Sequence, residues 1–168
     1  LLSKIKTASI DFGFSSLEKY ILHLLSSPKT FEQLQKLSEY LTIGETYFFR
    51  EPDSFKIFQT QILPEILKKH KTDKQLRIWS AGCCTGEEAY SIAIALEQVL
   101  NPLDAWQISI LATDINGRFL EIAEKGIYRK WSFRSAPFWL QSNYFHRQED
   151  GSFKIYSHFK KQIQFLPF

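Results

Sequence analysis

The stretch Gln75–Ser91, QLRIWSAGCCTGEEAYS, decides the fold, because it predicts a buried strand, a glycine turn and the start of a helix. Gly82 and Gly86 bracket the turn, and Glu87 and Glu88 open the helix. Glycines permit positive φ and a close backbone approach, and the first N–H groups of a helix have no helical partners. The turn is therefore a candidate nucleotide-type site, although most such turns in α/β proteins bind nothing.

A second strand and helix follow this unit. Trp106–Thr113, WQISILAT, predicts a buried strand with Asp114 at its end, and Phe119–Lys125 predicts the next helix. The first helix is expected to end at Asn101–Pro102. This order predicts a right-handed βαβ unit on a parallel sheet. Ligands bind such sheets at the carboxyl ends of the strands, so Asp114 and the glycine turn are expected at one edge.

The two acids after the turn restrict the kind of nucleotide. Glu87 and Glu88 would repel a phosphate at the helix N-terminus, and the chain lacks the dinucleotide fingerprint and the P-loop, which argues against an NAD-dependent oxidoreductase. S-adenosylmethionine has no phosphate and carries two cationic groups, and Asp114 suits ribose hydroxyls. Interaction with the helix dipole is the alternative explanation of the acids. That explanation does not account for Gly82, Gly86 and Asp114 together.

The N-terminal part predicts a small helical unit. Residues 1–14 are poorly patterned, whereas Leu17–Ser26 repeats apolar residues at helical spacing. Thr30 and Gln33 fit a capping box at the start of the next helix.

A linker follows this unit. Leu41–Ser54 favours an extended segment, and Pro52 suits the first turn of a new helix that kinks or restarts at Pro64. Arg50 has two interpretations. The local pattern favours a surface arginine, and the alternative is a clamp for a ligand carboxylate.

The C-terminal part predicts a small β excursion on the α/β core. Tyr128–Arg134 is aromatic and basic, Ala136–Phe145 predicts a short helix, and Phe153–Tyr156 and Gln162–Phe165 are candidate strands. We expect this β excursion to extend from about residue 127 to residue 166.

Composition excludes several classes of protein. The chain has 168 residues, enough for one domain or for one domain and a small partner. Its positive and negative charges are too evenly balanced, with a net charge of +3, to favour binding of nucleic acid. No apolar run approaches the roughly 20 residues of a membrane helix. Its two cysteines, Cys83 and Cys84, are adjacent, and no second Cys/His cluster makes a metal site. We expect a cytoplasmic monomer without membrane insertion.

Four blocks of sequence together resemble one protein family, the CheR-type chemotaxis receptor methyltransferases. They are LTIGETYFFRE (residues 41–51), RIWSAGCCTGEEAYSIA (77–93), ILATDIN (110–116) and GIYRKWSFR (126–134). The resemblance implies a helical N-terminal domain, here residues 1–50 with the linker, and a Rossmann-like S-adenosylmethionine-dependent methyltransferase domain, here an incomplete one in residues 51–168. Within it, the resemblance implies a small antiparallel β subdomain at about residues 127–166. It also implies methylation of glutamate side chains on the cytoplasmic helices of chemoreceptors, giving glutamyl methyl esters.

The resemblance also implies roles for particular residues. Thr46 and Arg50 match cofactor-contacting positions, Glu87 matches the acid after the turn, and Asp114 matches the ribose-binding acid; with Gly82 and Gly86 these are the candidate cofactor residues. The resemblance reverses the local interpretation of Arg50. It names no catalytic residue, because an ionised glutamate needs no general base.

The chain departs from the family in ways that affect these expectations. Gly44 stands where Asn is frequent, and the chain stops at Phe168, before family blocks that would complete the site. We therefore expect a fragment, truncated at both ends and itself inactive. The alternative function is an inactive, methyltransferase-like regulatory or binding module.

Overall fold

Three helices open the chain in the computed structural model, which describes residues 2–26, 28–100 and 105–168. They are α1 (Leu2–Asp11), α2 (Leu17–Ser26) and α3 (Phe31–Leu41). The poor patterning of residues 1–14 did not predict α1, which packs against α2 and α3. The helix was missed because it buries only Ala8 and Ser9, so it has no apolar stripe to recognise. The Thr30–Gln33 capping box at α3 is confirmed by both of its hydrogen bonds.

Two prolines shape the helical segment that leads to the sheet. It consists of α4 (Pro52–Ile57), a π-helical turn (Phe58–Ile62) and α5 (Leu63–Lys69). Pro52 begins α4 as predicted. The predicted kink at Pro64 takes the form of the π turn, in which the Leu63 N–H donates to the Phe58 carbonyl five residues back. A π turn is a common way to absorb a local break in helical hydrogen bonding.

A parallel sheet and an antiparallel sheet follow. The elements are β1 (Gln75–Ala81), α6 (Glu87–Val99), β2 (Gln107–Asp114), α7 (Gly117–Lys125), β3 (Ile127–Tyr128), a 3₁₀ turn (Lys130–Phe133), α8 (Trp139–Tyr144), β4 (Phe145–Arg147), β5 (Phe153–Ile155), α9 (Ser157–Lys160) and β6 (Ile163–Pro167). Strands β1, β2 and β6 form the parallel sheet in that order, and β3, β5 and β4 form the antiparallel one. The predicted α/β fold is therefore confirmed. The predicted end of α6 at residues 101–102 lies outside the described residues.

The last strand corrects one prediction. We expected Gln162–Phe165 to belong to the β excursion, but β6 pairs in parallel with β2, with Ile163 opposite Ile110 and Pro167 opposite Asp114. Ile163 and Phe165 pack against the core, where the Phe165 ring lies 5.8 Å from that of Tyr90. A short alternating pattern specifies a half-buried strand but not the sheet that it joins.

An aromatic cluster is centred on Phe48 of the linker. The Phe48 ring is fully buried and lies 4.9 Å from the rings of Tyr128 and Phe133 and 5.1 Å from that of Phe145. These pairs are stacked or edge-to-face, the favourable geometries for aromatic rings. The linker is thereby packed onto the antiparallel sheet.

One face of the parallel sheet is covered and the other is open. Leu76, Ser80 and Ala112 are buried on the covered face, whereas Trp79 on the opposite face is 58% exposed. Within the described ranges, none of the helices has the length and apolar character needed to cross a membrane.

The substitution Gly126→Ala tests the packing between α7 and the antiparallel sheet. Gly126 has a φ of 63°, and a Cβ there would lie 2.6 Å from Ile155 Cγ2. We expect a loss of about 2–4 kcal/mol in the free energy of unfolding, measured by urea denaturation, from the left-handed backbone and the clash together.

Gly151→Ala is the matched control, because Gly151 has a φ of 78° but its added Cβ meets no atom of the described residues within 4 Å. It should cost only the backbone contribution, about 1–2 kcal/mol. Equal losses in the two variants would contradict the predicted clash.

Candidate functional site

Asp114 joins the ends of the first two strands. One carboxylate oxygen, Oδ2, accepts the Cys84 N–H at 2.8 Å, and Oδ1 accepts the Asn116 N–H at 2.8 Å. The Thr113 carbonyl accepts the N–H groups of Gly82 and Cys83 at 2.8 and 2.9 Å. A carboxylate has about four acceptor positions, so Asp114 keeps acceptor capacity for a ligand hydroxyl.

The two glycines of the turn have different surroundings. Gly82 has a φ of 71°, and a Cβ added to it would meet no atom of the described chain within 4 Å. Gly86 has a φ of 90°, but its Cβ would lie 2.7 Å from the Cβ of Ala123 on α7. Gly82 therefore borders open space, whereas Gly86 permits the close contact of the turn with α7.

The two acids also differ. Glu87 is only 2% exposed, and its carboxylate accepts the hydroxyls of Thr85 at 2.6 Å and Ser132 at 2.9 Å. Glu88 accepts the Ser80 hydroxyl at 2.7 Å and lines open space beside the turn. The structure thus brings Glu88 to the turn's open side, and a cofactor contact by Glu87 stays a prediction.

The linker reaches this edge through contacts with distant segments. The Phe48 N–H donates to the Ser132 carbonyl at 2.9 Å, and the Phe49 N–H donates to the Ser91 hydroxyl at 3.0 Å. Phe49 and Glu51 have φ values of 53° and 60°, in the left-handed region that non-glycine residues rarely adopt. Non-local contacts therefore hold an unfavourable backbone conformation.

Two adjoining depressions result at the carboxyl ends of β1 and β2. The large cleft, of about 620 Å³, is lined by Asp114 together with Ile43 and Phe119. The small recess, of about 80 Å³, is lined by Thr46, Arg50 and Glu88. The residues shared by both are Glu45, Gly82 and Cys84. Four of the six predicted residues thus line one continuous surface, and Gly86 and Glu87 support it from behind.

A larger depression of about 750 Å³ lies elsewhere. It includes Gln75 and Gln107, the first residues of β1 and β2, and is therefore at the opposite end of the sheet. Ligands of parallel α/β sheets bind at the carboxyl ends. The large cleft is consequently the better candidate despite its smaller volume.

The thiols beside the cleft are not poised as nucleophiles. Burial, the main cause, raises the pKa of Cys83 to about 12 and that of Cys84 to about 11. Both are therefore neutral thiols near pH 7. A Cβ on Gly44 would lie 2.7 Å from the Phe119 ring and 3.1 Å from Cys84 Sγ, so this glycine lets both side chains approach the linker.

Several residues of the site were missed from sequence. Tyr128 donates its hydroxyl to the Thr85 carbonyl at 2.9 Å, and burial raises the pKa of Tyr128 well above its ordinary value. Ser132 holds Glu87. Both residues lie in the GIYRKWSFR block, for which the sequence indicated a β excursion and a family resemblance but no role for an individual residue.

The residues present fit S-adenosylmethionine. The surface offers the Asp114 carboxylate for a ribose, Glu88 for an ammonium and Arg50 for a carboxylate. Gly82 leaves space where a side chain would project. The large cleft also lies within the usual 300–1,000 Å³ of small-molecule sites.

Comparisons with known proteins agree with this geometry. Residues 44–168 match the family described as CheR methyltransferase, SAM binding domain. The chain is 34% identical over 157 residues to the chemotaxis protein methyltransferase of Borreliella burgdorferi, covering 91% of this chain and 55% of that protein. It is 34% identical over 134 residues to chemotaxis protein methyltransferase 2 of Vibrio cholerae, covering 80% and 46%.

A third relative comes from Pseudomonas aeruginosa. The probable biofilm formation methyltransferase WspC is 30% identical over 148 residues, covering 88% of this chain and 33% of that protein. The chain thus spans about half of the length of the first two relatives. It belongs to the CheR methyltransferase family, whose methyl donor is S-adenosylmethionine.

Proposed function

We propose that the protein transfers a methyl group from S-adenosylmethionine to glutamate side chains on the cytoplasmic helices of chemoreceptors. The product is a glutamyl methyl ester. The observation that carries this proposal is the continuous surface formed by the large cleft and the small recess at the carboxyl edge of the sheet. Membership of the family and the names of the relatives support the chemotaxis assignment.

Each cofactor group has a matching residue on this surface. Asp114 accepts the ribose hydroxyls, and Gly82 permits close approach of the backbone. In the small recess, Glu88 faces the methionyl ammonium, and Arg50 and Thr46 hold the methionyl carboxylate. Glu87 and Gly86 keep the turn in place behind them.

The chemistry needs no general base from the chain. When bound, S-adenosylmethionine supplies an electrophilic methyl group, and a glutamate acceptor with an ordinary pKa of about 4.3 is already ionised at neutral pH. The residues of the site therefore act by positioning the reactants and excluding water. The neutral thiols of Cys83 and Cys84 do not compete as acceptors.

Each part of the chain has its own role in the proposed function. Residues 1–50 form a helical domain with a linker, and residues 51–168 form the cofactor domain, from which the antiparallel sheet projects toward the receptor. We place the acceptor helix over the sheet edge, between the helical domain and the cofactor. The cytoplasmic location and the monomeric state remain predictions.

Methyl transfer to a receptor tests the proposed function directly. We expect the full-length protein to transfer label from methyl-labelled S-adenosylmethionine to a receptor cytoplasmic domain. The label should be released as methanol by mild base, since the product is an ester. At saturating cofactor, the acceptor glutamate should add no inflection to the rate between about pH 6.5 and 8.5, because the ordinary pKa of its carboxyl is about 4.3.

An inactive binding module gives a different result. Such a protein would bind the receptor or the cofactor without turnover, and that outcome would contradict the proposed function.

Two substitutions test the assignment of the cofactor groups. Asp114→Asn should weaken binding of both S-adenosylhomocysteine and 5′-methylthioadenosine, by roughly tenfold or more, because both contain the ribose. Glu88→Gln should weaken only S-adenosylhomocysteine, since 5′-methylthioadenosine has no ammonium. Calorimetric titration of the full-length protein measures the four dissociation constants.

Asp73→Asn is the control, because Asp73 is a surface carboxylate paired with His70. Asp73→Asn should leave the dissociation constants of S-adenosylhomocysteine and 5′-methylthioadenosine unchanged. If Glu88→Gln weakened the binding of both ligands equally, the assignment of Glu88 to the methionyl end of the site would be wrong.

A further inference from the structure

Arg134 of the antiparallel subdomain packs between two aromatic rings. Its Cζ lies 4.0 Å from the centroid of the Tyr47 ring and 4.6 Å from that of the Trp131 ring. The side chain is 17% exposed, so much of its cation–π contact is shielded from water. Such contacts are stronger when they are desolvated. Tyr47 lies in the linker, and Trp131 lies in the 3₁₀ turn, so the guanidinium joins two segments that are far apart in sequence.

The same guanidinium holds the backbone and a side chain of the linker. Nη1 donates to the Thr46 carbonyl at 3.3 Å and to the Trp131 carbonyl at 3.0 Å, and Nη2 donates to the Glu45 carboxylate. One side chain thus contacts three consecutive linker residues. This arrangement requires the planar fork of arginine, because a lysine ammonium cannot stack between rings and direct donors to several acceptors.

The linker needs such external contacts. Phe49 and Glu51 have positive φ, and each such residue costs on the order of 1 kcal/mol. The position of the Arg50 side chain also depends on Glu45, because the exposed Arg50 guanidinium donates to the Glu45 carbonyl. The contacts therefore run from Arg134 through Glu45 to Arg50, which lines the small recess.

We propose that Arg134 is a positioning residue that holds Glu45–Tyr47 so that Thr46 and Arg50 form the methionyl end of the cofactor site. This inference rests on the proposed function, because it assigns the small recess to the methionyl group. Within the described chain, Arg134 does not line the large cleft or the small recess. It acts on cofactor affinity by raising the fraction of molecules whose linker is ready to bind.

Hydrogen exchange of the full-length protein without cofactor tests the first half of the proposal. In Arg134→Gln, the amides of residues 45–50 should exchange faster, while those of α6 keep their protection. The matched control is Arg129→Gln, since Arg129 lies in the same subdomain but is 73% exposed and pairs with Asp150. Unchanged exchange of residues 45–50 in Arg134→Gln would overturn the proposal.

Ligand binding tests the second half. If the held linker conformation falls to about one molecule in ten, the dissociation constant of S-adenosylhomocysteine rises about tenfold. The dissociation constant of 5′-methylthioadenosine should rise less, because it occupies only the large cleft, which Glu45 lines but Thr46 and Tyr47 do not. Arg134→Lys should behave like Arg134→Gln, and Arg129→Gln like the wild type.

The outcomes separate this inference from the proposed function. Equal weakening of both ligands by Arg134→Gln indicates a general loss of structure and overturns the positioning role. Wild-type affinity in Arg134→Gln or Arg134→Lys overturns it as well. Absence of S-adenosylhomocysteine binding by the wild type overturns the proposed function and, with it, the affinity half of the inference, while the exchange experiment still decides whether Arg134 holds the linker.

Discussion

The buried carboxylate of Glu87 is the constraint on which the rest of the site depends. It opens α6, where the helix dipole favours negative charge, and it accepts one hydroxyl from Thr85 in the glycine turn and one from Ser132 in the subdomain. A buried charge without hydrogen bonds is costly, so each hydroxyl is required where it stands. The acid thus links the turn after β1 to a segment about 45 residues further along the chain.

The contact between Glu87 and Ser132 also fixes the position of the linker. The Ser132 carbonyl accepts the Phe48 N–H, and the Phe48 ring fills the core between Phe133 and Tyr128. Tyr128 also contacts the glycine turn, because its hydroxyl donates to the Thr85 carbonyl. These contacts therefore hold the glycine turn, the subdomain and the linker together, and the small recess lies where the linker meets the turn. Three of the four blocks that resemble the family supply these segments.

Local signals explain what could be predicted from sequence. The βαβ order, Asp114 at a strand end and Pro52 at a helix start depend on short patterns, and each was found where it was expected. The differences between Gly82 and Gly86, and between Glu87 and Glu88, could not be predicted. Within each pair the residue types are identical, and only the packing of α7 and the subdomain decides which member borders open space. The sheet that β6 joins depends on non-local pairing in the same way.

A double-mutant cycle between Glu87 and Ser132 tests the central link most directly. The free energy of unfolding would be measured for the wild type, Glu87→Gln, Ser132→Ala and the double variant. Ser132→Ala should cost about 2 kcal/mol beside the charged carboxylate, and at least about 1 kcal/mol less in the Glu87→Gln background, because charge-assisted hydrogen bonds are the stronger ones. A cost that is equal in both backgrounds to within about 0.4 kcal/mol would contradict the account.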